Sequence, residues 1–239
     1  MKPLLSQIAL LFLVIAAPLG AQTPPNASEA TQLYRQAQAE YKKAWEFERS
    51  SKIDKAIQSY IEAADLGDKS WRAAESAGLP NERRPSEVYL NPATAHLDAA
   101  RLLAKQPPNR ELMDEQCKRC IIDLGRAASV EMDRAEKNGT ALSPDVWKID
   151  NAAGYALFLQ GDLANARTQY QKVLARNPGY QPAKDAIAQI NKLEEQQYGR
   201  FAPQGETPRK TQNFREQIIR VIDDLKLAKQ VFDLLKSVR

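Results

Sequence analysis

The most constraining feature of the sequence is the segment 154–178, where two amphipathic helical patterns meet at Gln160-Gly161-Asp162. Small residues stand at the positions where the two predicted helices would touch, and Pro178 stops the second helix. A hairpin of two helices buries little apolar surface alone and usually stacks with others into an array that binds proteins. The segment therefore predicts an interaction protein rather than an enzyme.

The composition favours helices over sheets. The chain has 239 residues with only 10 Gly, and its apolar residues recur at spacings of three and four almost throughout. We therefore expect an all-α protein. The formal charge of +4 comes from 34 basic and 30 acidic residues that are mixed along the predicted helices. Nucleic-acid-binding proteins more often concentrate their basic residues in one patch, so we expect no nucleic-acid partner.

Residues 1–21 have the pattern of a secretory signal peptide. Lys2 precedes an almost wholly apolar run at 4–17, and cleavage is expected after Ala21. The run is shorter than the roughly 20 residues that a spanning helix needs, although an uncleaved membrane anchor remains the alternative. The pattern predicts export, to the periplasm or the extracellular space of a bacterium, with no membrane contact after cleavage.

Two segments, 37–70 and 147–180, share one plan: a helix, a tight turn, and a second helix that carries Ala and then Tyr one turn later. Small residues let the helices of a hairpin approach closely, and the aromatic ring fills the gap toward the next unit. At these residues the chain resembles the tetratricopeptide repeat (TPR) family. The matching positions are Ala44, Phe47, Ala56, Tyr60 and Ala63 in the first segment, and Gly154, Ala156, Gly161, Ala166, Tyr170 and Pro178 in the second.

The resemblance implies a short TPR-like solenoid of helical hairpins over residues 29–197, with a divergent unit at about 93–138 and a capping helix at 181–197. The breakers in 79–92 predict a loop. Besides the hairpin at 147–178, helices are predicted at about 29–49, 53–66, 69–77, 93–105, 110–137 and 181–197.

Three segments lie outside this predicted domain. Residues 22–28 are expected to be a flexible lead-in, and 198–211 a linker. Residues 212–239 predict an additional C-terminal amphipathic helix, because their apolar residues alternate at spacings of four and three, as in a heptad seam. This helix could dock on its own chain, self-associate, bind a partner or lie on a membrane surface.

Cys117 and Cys120 form the one motif with possible reactivity. Their spacing is that of thiol–disulfide oxidoreductases. The pair is expected inside a helix, however, and not at the helix N-terminus that would stabilise a thiolate. We favour buried structural thiols; a disulfide and redox chemistry are the alternatives. His96 is the only His, so a catalytic triad and a zinc site lack their usual residues, and we expect no enzyme activity and no cofactor or metal.

The favoured function is an exported TPR-type adaptor that binds a segment of an unidentified protein in the groove of its helical array. The resemblance implies groove residues on the first helix of each hairpin. The alternatives are a structural subunit that oligomerises or docks in an envelope complex through 212–239, and, more remotely, a thiol redox protein. The candidate groove residues are Tyr41, Lys42, Asn151, Tyr155 and Phe158.

Overall fold

The computed structural model describes residues 25–78, 87–106, 109–143 and 146–198, and all regular secondary structure in these ranges is helical. The all-α prediction is therefore confirmed for this part of the chain. The described helices are α1 (Pro25–Arg49), α2 (Ile53–Ser76), α3 (Glu87–Ala104), α4 (Arg110–Asn138), α5 (Trp147–Gln160), α6 (Leu163–Arg176) and α7 (Gln181–Tyr198).

The helices pack in chain order as antiparallel hairpins. α1 pairs with α2, α3 with α4, and α5 with α6, while α7 covers α6. α3 also contacts both α1 and α5, so the first helices of the three hairpins are neighbours. One apolar core, to which every described helix contributes, extends from α1 to α7. Tyr60 and Tyr170, the aromatic residues of the two predicted repeats, are both fully buried in it.

The hairpin of α5 and α6 follows directly from its sequence. Gly161 ends α5 with φ of 83°, a left-handed conformation that glycine adopts without strain. The Asp162 carboxylate then caps α6 by accepting a hydrogen bond from the Asn165 backbone N–H at 3.2 Å. Between the helices, Gly154 faces Tyr170 so closely that an added Cβ would lie 3.1 Å from the ring.

The structure corrects the prediction of a break after residue 66, because α2 continues to Ser76 and includes the separate helix predicted at 69–77. Gly67 lies inside α2 and packs against α3, where a Cβ on it would lie 2.9 Å from the Cβ of Pro92. Its lack of a side chain therefore permits a close helix crossing and does not mark a turn.

Pro92 lies inside α3, so the prediction of a loop through this residue is wrong for residues 87–92. Pro92 is the sixth residue of α3, just beyond the four N–H groups that a helix leaves unpaired at its N-terminus, so α3 lacks one helical hydrogen bond there. α1 likewise begins at Pro25, within the predicted lead-in, and Pro suits the first turn of a helix.

The predicted signal peptide, the rest of the loop at 79–86, the linker after Tyr198 and the C-terminal helix at 212–239 lie outside the described residues. Among the helices that are described, none combines the length and the apolar character needed to cross a membrane.

Candidate metal centre

Three polar side chains from three helices converge in the interior between the first two hairpins. Asp68 comes from α2, His96 from α3 and Asp123 from α4. The Nε2 atom of His96 lies 3.9 Å from Asp68 Oδ2 and 3.8 Å from Asp123 Oδ2. One ligand atom of each residue lies within 4.8 Å of the other two. These separations are too long for hydrogen bonds. The three polar atoms nevertheless face a common point between the side chains.

The cluster is enclosed by protein. His96 is 0% exposed, Asp123 is 1% exposed and Asp68 is 9% exposed. Neither His96 Nε2 nor Asp123 Oδ2 has a hydrogen-bond partner. A buried polar atom that lacks a partner loses its hydration without replacement, which typically costs about 1–3 kcal/mol. Two such atoms facing each other are therefore unusual in a native interior.

Gln116 holds the His96 ring through its Nδ1 atom. The Nδ1 atom of His96 lies 2.7 Å from the Oε1 atom of Gln116, and both side chains are buried. Because an amide oxygen only accepts, Nδ1 donates this hydrogen bond. Nε2 is therefore the ring atom that faces the two carboxylates.

The outer oxygens of the carboxylates are held in place by α2 and α4. Trp71 Nε1 donates to Asp68 Oδ1 at 3.3 Å, and the Arg126 guanidinium donates to Asp123 Oδ1 at 2.8 Å. The guanidinium also lies over the Trp71 ring, 4.0 Å from its centroid. These contacts orient both Oδ2 atoms toward His96.

The two carboxylates differ in proton affinity. Burial raises the pKa of Asp123 to about 6, repulsion by Asp68 adds to the rise, and His96 and Arg126 oppose it. Burial also raises the pKa of Asp68, but the contacts with His96 and Trp71 outweigh it, so this pKa lies below its usual value. Like charges in a shared site separate their pKa values in this way.

The sequence did not predict this cluster, and the expectation of no metal-binding group rested on the lack of a second His. The three residues stand on separate helices without any motif spacing. One local signal was present in α4, where Asp123 falls among Cys120, Leu124 and Ala127 on the buried face. A carboxylate on an otherwise apolar face requires a partner, and this signal could have drawn attention to it.

A second polar network ties α1, α2 and α3 together and includes Tyr41. The Tyr41 hydroxyl donates to Asp98 at 2.6 Å, and its ring packs edge-on against Tyr60 at 5.2 Å. Arg101 donates to Glu48 at 2.8 Å, and the Tyr60 hydroxyl donates to the same carboxylate at 2.9 Å. Burial and the Asp98 charge raise the pKa of Tyr41. Tyr41 therefore joins helices of its own chain.

Three of the predicted groove residues are buried in the structure. Asn151, Tyr155 and Phe158 are at most 1% exposed, and no residue of α5 is exposed. The resemblance had implied that they line an open groove, whereas α5 contacts α3, α4 and α6. Lys42 of α1 is exposed. Partner binding by any of the five predicted residues stays a prediction.

The cysteines are free, buried thiols inside α4. Burial raises the pKa of Cys117, and the nearby Asp114 raises it further. The pKa of Cys120 is raised as well, chiefly by burial. A redox-active cysteine needs the opposite shift and access to its substrate. The geometry thus agrees with structural thiols and not with a disulfide.

A scan against protein-family models found no family that matches the chain, and searches of curated proteins and of solved structures found no match.

Proposed function

We propose that the chain is a TPR-like scaffold that binds a segment of another protein. The observation that carries this proposal is the order of packing: each described helix packs on the next, and the first helices α1, α3 and α5 adjoin in sequence. In helical-repeat proteins, each unit likewise contacts its neighbours, and the extended surface that results binds other proteins.

The buried signature residues support the TPR-like character of the units. Ala56 and Tyr60 in α2 are fully buried, as are the equivalent Ala166 and Tyr170 in α6. α7 fits the role of a cap, because one side of it is buried and the other is exposed and polar. The apolar residues on the buried side of α7 are Ala183, Ala186, Ile190 and Leu193.

The accessible first helix is α1, since no described side chain of α3 or α5 is exposed. Arg35, Lys42 and Arg49 are exposed on α1 at intervals of seven residues, so they lie along one stripe of the helix, which also includes exposed Glu46 and keeps a net positive charge. A stripe of positive charges attracts an acidic segment and accelerates its association. We therefore place the partner surface on this stripe and expect an acidic segment of another protein to bind there.

Site-specific photo-crosslinking tests this function. A photoreactive residue at Lys42 should give a discrete adduct with a partner in cells that produce the full chain. The same residue at Lys184, an exposed position on α7, serves as the matched control. Reversal of the Arg35 charge, Arg35→Glu, should abolish the adduct at position 42. The absence of any adduct at 42, or identical adducts at 42 and 184, would contradict the proposal.

A further inference from the structure

We propose that Asp68, His96 and Asp123 form a binding site for a divalent transition-metal ion of the Zn²⁺ type, which clamps α2, α3 and α4 together. The first argument is the direction of the electron pairs. His96 Nε2 and Asp123 Oδ2 have no hydrogen-bond partner, and with Asp68 Oδ2 they face a common point. A metal cation at this point would satisfy all three atoms at once.

The separations suit a metal ion. Three atoms spaced as these are share a centre roughly 2.2–2.5 Å from each, and zinc bonds to imidazole nitrogen and carboxylate oxygen are about 2.0–2.2 Å long. A contraction of a few tenths of an ångström by the side chains therefore completes coordination by all three residues. A hydrogen bond from Nε2 would need one of its two contacts to shorten by about 0.6–0.9 Å, and it would satisfy only one of the two carboxylates.

The donor set selects the class of metal. Imidazole nitrogen suits zinc and its neighbours in the first transition series, whereas calcium and magnesium prefer oxygen ligands alone. For a site of this kind, affinity increases from Mn²⁺ to the later metals of the series. The two carboxylates also neutralise the charge of a dication. Zn²⁺ is therefore the appropriate probe, with Mg²⁺ as the comparison.

The surrounding side chains hold the ligands as they do in known metal sites. His96 donates its other N–H to Gln116, and Arg126 and Trp71 hold the outer carboxylate oxygens. Such outer contacts fix the tautomer of the His and the orientation of the ligands. Because the cluster is buried, the metal would serve as a structural clamp between the first and second hairpins.

Metal titration of the full-length protein tests the proposal. The protein is first stripped with a chelator and then titrated with Zn²⁺ by calorimetry, with metal content measured after dialysis. We expect one Zn²⁺ per chain, a raised melting temperature, and no comparable effect of Mg²⁺. Wild-type protein that binds no stoichiometric Zn²⁺ would overturn the proposal and would assign the central position to a proton or a water molecule.

Variants locate the bound ion. Asp68→Asn and Asp123→Asn, which preserve side-chain shape, should each abolish stoichiometric binding. Gln116→Leu should weaken it by about 10–100-fold, the usual effect of losing an outer contact. Asp65→Asn, which removes a partly exposed carboxylate one turn earlier on α2, should leave binding unchanged.

The buried thiols are the competing candidate for the zinc ligands, because zinc also binds cysteine. The double variant Cys117→Ser/Cys120→Ser should retain Zn²⁺, and the Co²⁺-substituted wild-type protein should show no thiolate charge-transfer band. Zinc binding that survives both Asp variants and disappears in the Cys variant would refute the site. Circular dichroism of each variant identifies any loss that comes from misfolding, and the wild-type titration decides the question independently of the variants.

Discussion

Replacing Gly67 with Ala tests the close crossing of α2 and α3 that places Asp68 beside His96. The new Cβ would lie 2.9, 3.1 and 3.2 Å from the Cβ, Cδ and Cγ atoms of Pro92. A pyrrolidine ring is rigid, so the helices must separate. Overpacking of this kind costs about 1–3 kcal/mol, and we take the upper end because the ring cannot rotate away. The gain in helix propensity is about 1 kcal/mol, so the net loss should be about 2 kcal/mol.

Gly125→Ala is the matched control, since Gly125 is also inside a helix but has no atom within 4 Å of an added Cβ. It should therefore stabilise the protein by up to about 1 kcal/mol through helix propensity alone. Urea unfolding, followed by circular dichroism, measures both changes. For a chain of this size, a change of 1 kcal/mol shifts the melting temperature by about 2–4 °C. Equal stabilisation by the two substitutions would refute the argument that Gly67 permits a close crossing.

Three further predictions concern single residues. Asp162→Ala should destabilise the protein by about 1 kcal/mol in urea unfolding, because the α6 cap on the Asn165 N–H is lost; an unchanged midpoint would exclude the cap. Phe158→Ala should lower the free energy of unfolding by about 3–5 kcal/mol because the ring is fully buried. Lys42→Ala, at an exposed position, should change it by less than about 0.5 kcal/mol. Similar effects of the two substitutions would contradict the burial of Phe158 in α5. The pKa of Asp123 is raised to about 6, so the folded state binds this proton more tightly than the unfolded chain does. The protonated carboxyl therefore contributes to stability below about pH 4. This contribution declines by up to about 3 kcal/mol as pH rises from about 4 through 6. With chelator present, Asp123→Asn should therefore gain stability relative to wild type between pH 4 and 7, and a constant difference across this range would contradict the shift.

Local signals in the sequence were enough to predict most of the helical organisation. The turn at Gly161-Asp162 and the end of α4 at Asn138 depend on residues next to them in the chain. Gly139, which follows α4, has φ of 60°, as expected of a glycine that ends a helix. Capping and helical periodicity act over a few residues, so they can be seen without tertiary structure.

The same local signals were misleading at positions where packing between helices decides the structure. The sequence predicts a loop through Pro92 and the end of a helix at 66, just before Gly67, but both residues lie inside helices that pack against each other. The exposure of Phe158 could not be judged from its own helix either. Whether a helix side faces solvent depends on which other helices cover it, and that is decided by packing between hairpins.

The sequence by itself determined that this chain forms a succession of helical hairpins, because helix periodicity and turn chemistry are properties of neighbouring residues. Only the tertiary structure decided that Asp68, His96 and Asp123 meet. Each residue alone is an ordinary polar side chain on its own helix. Their shared chemistry arises when three helices bring an imidazole nitrogen and two carboxylates within 4.8 Å of one another in the interior of the protein.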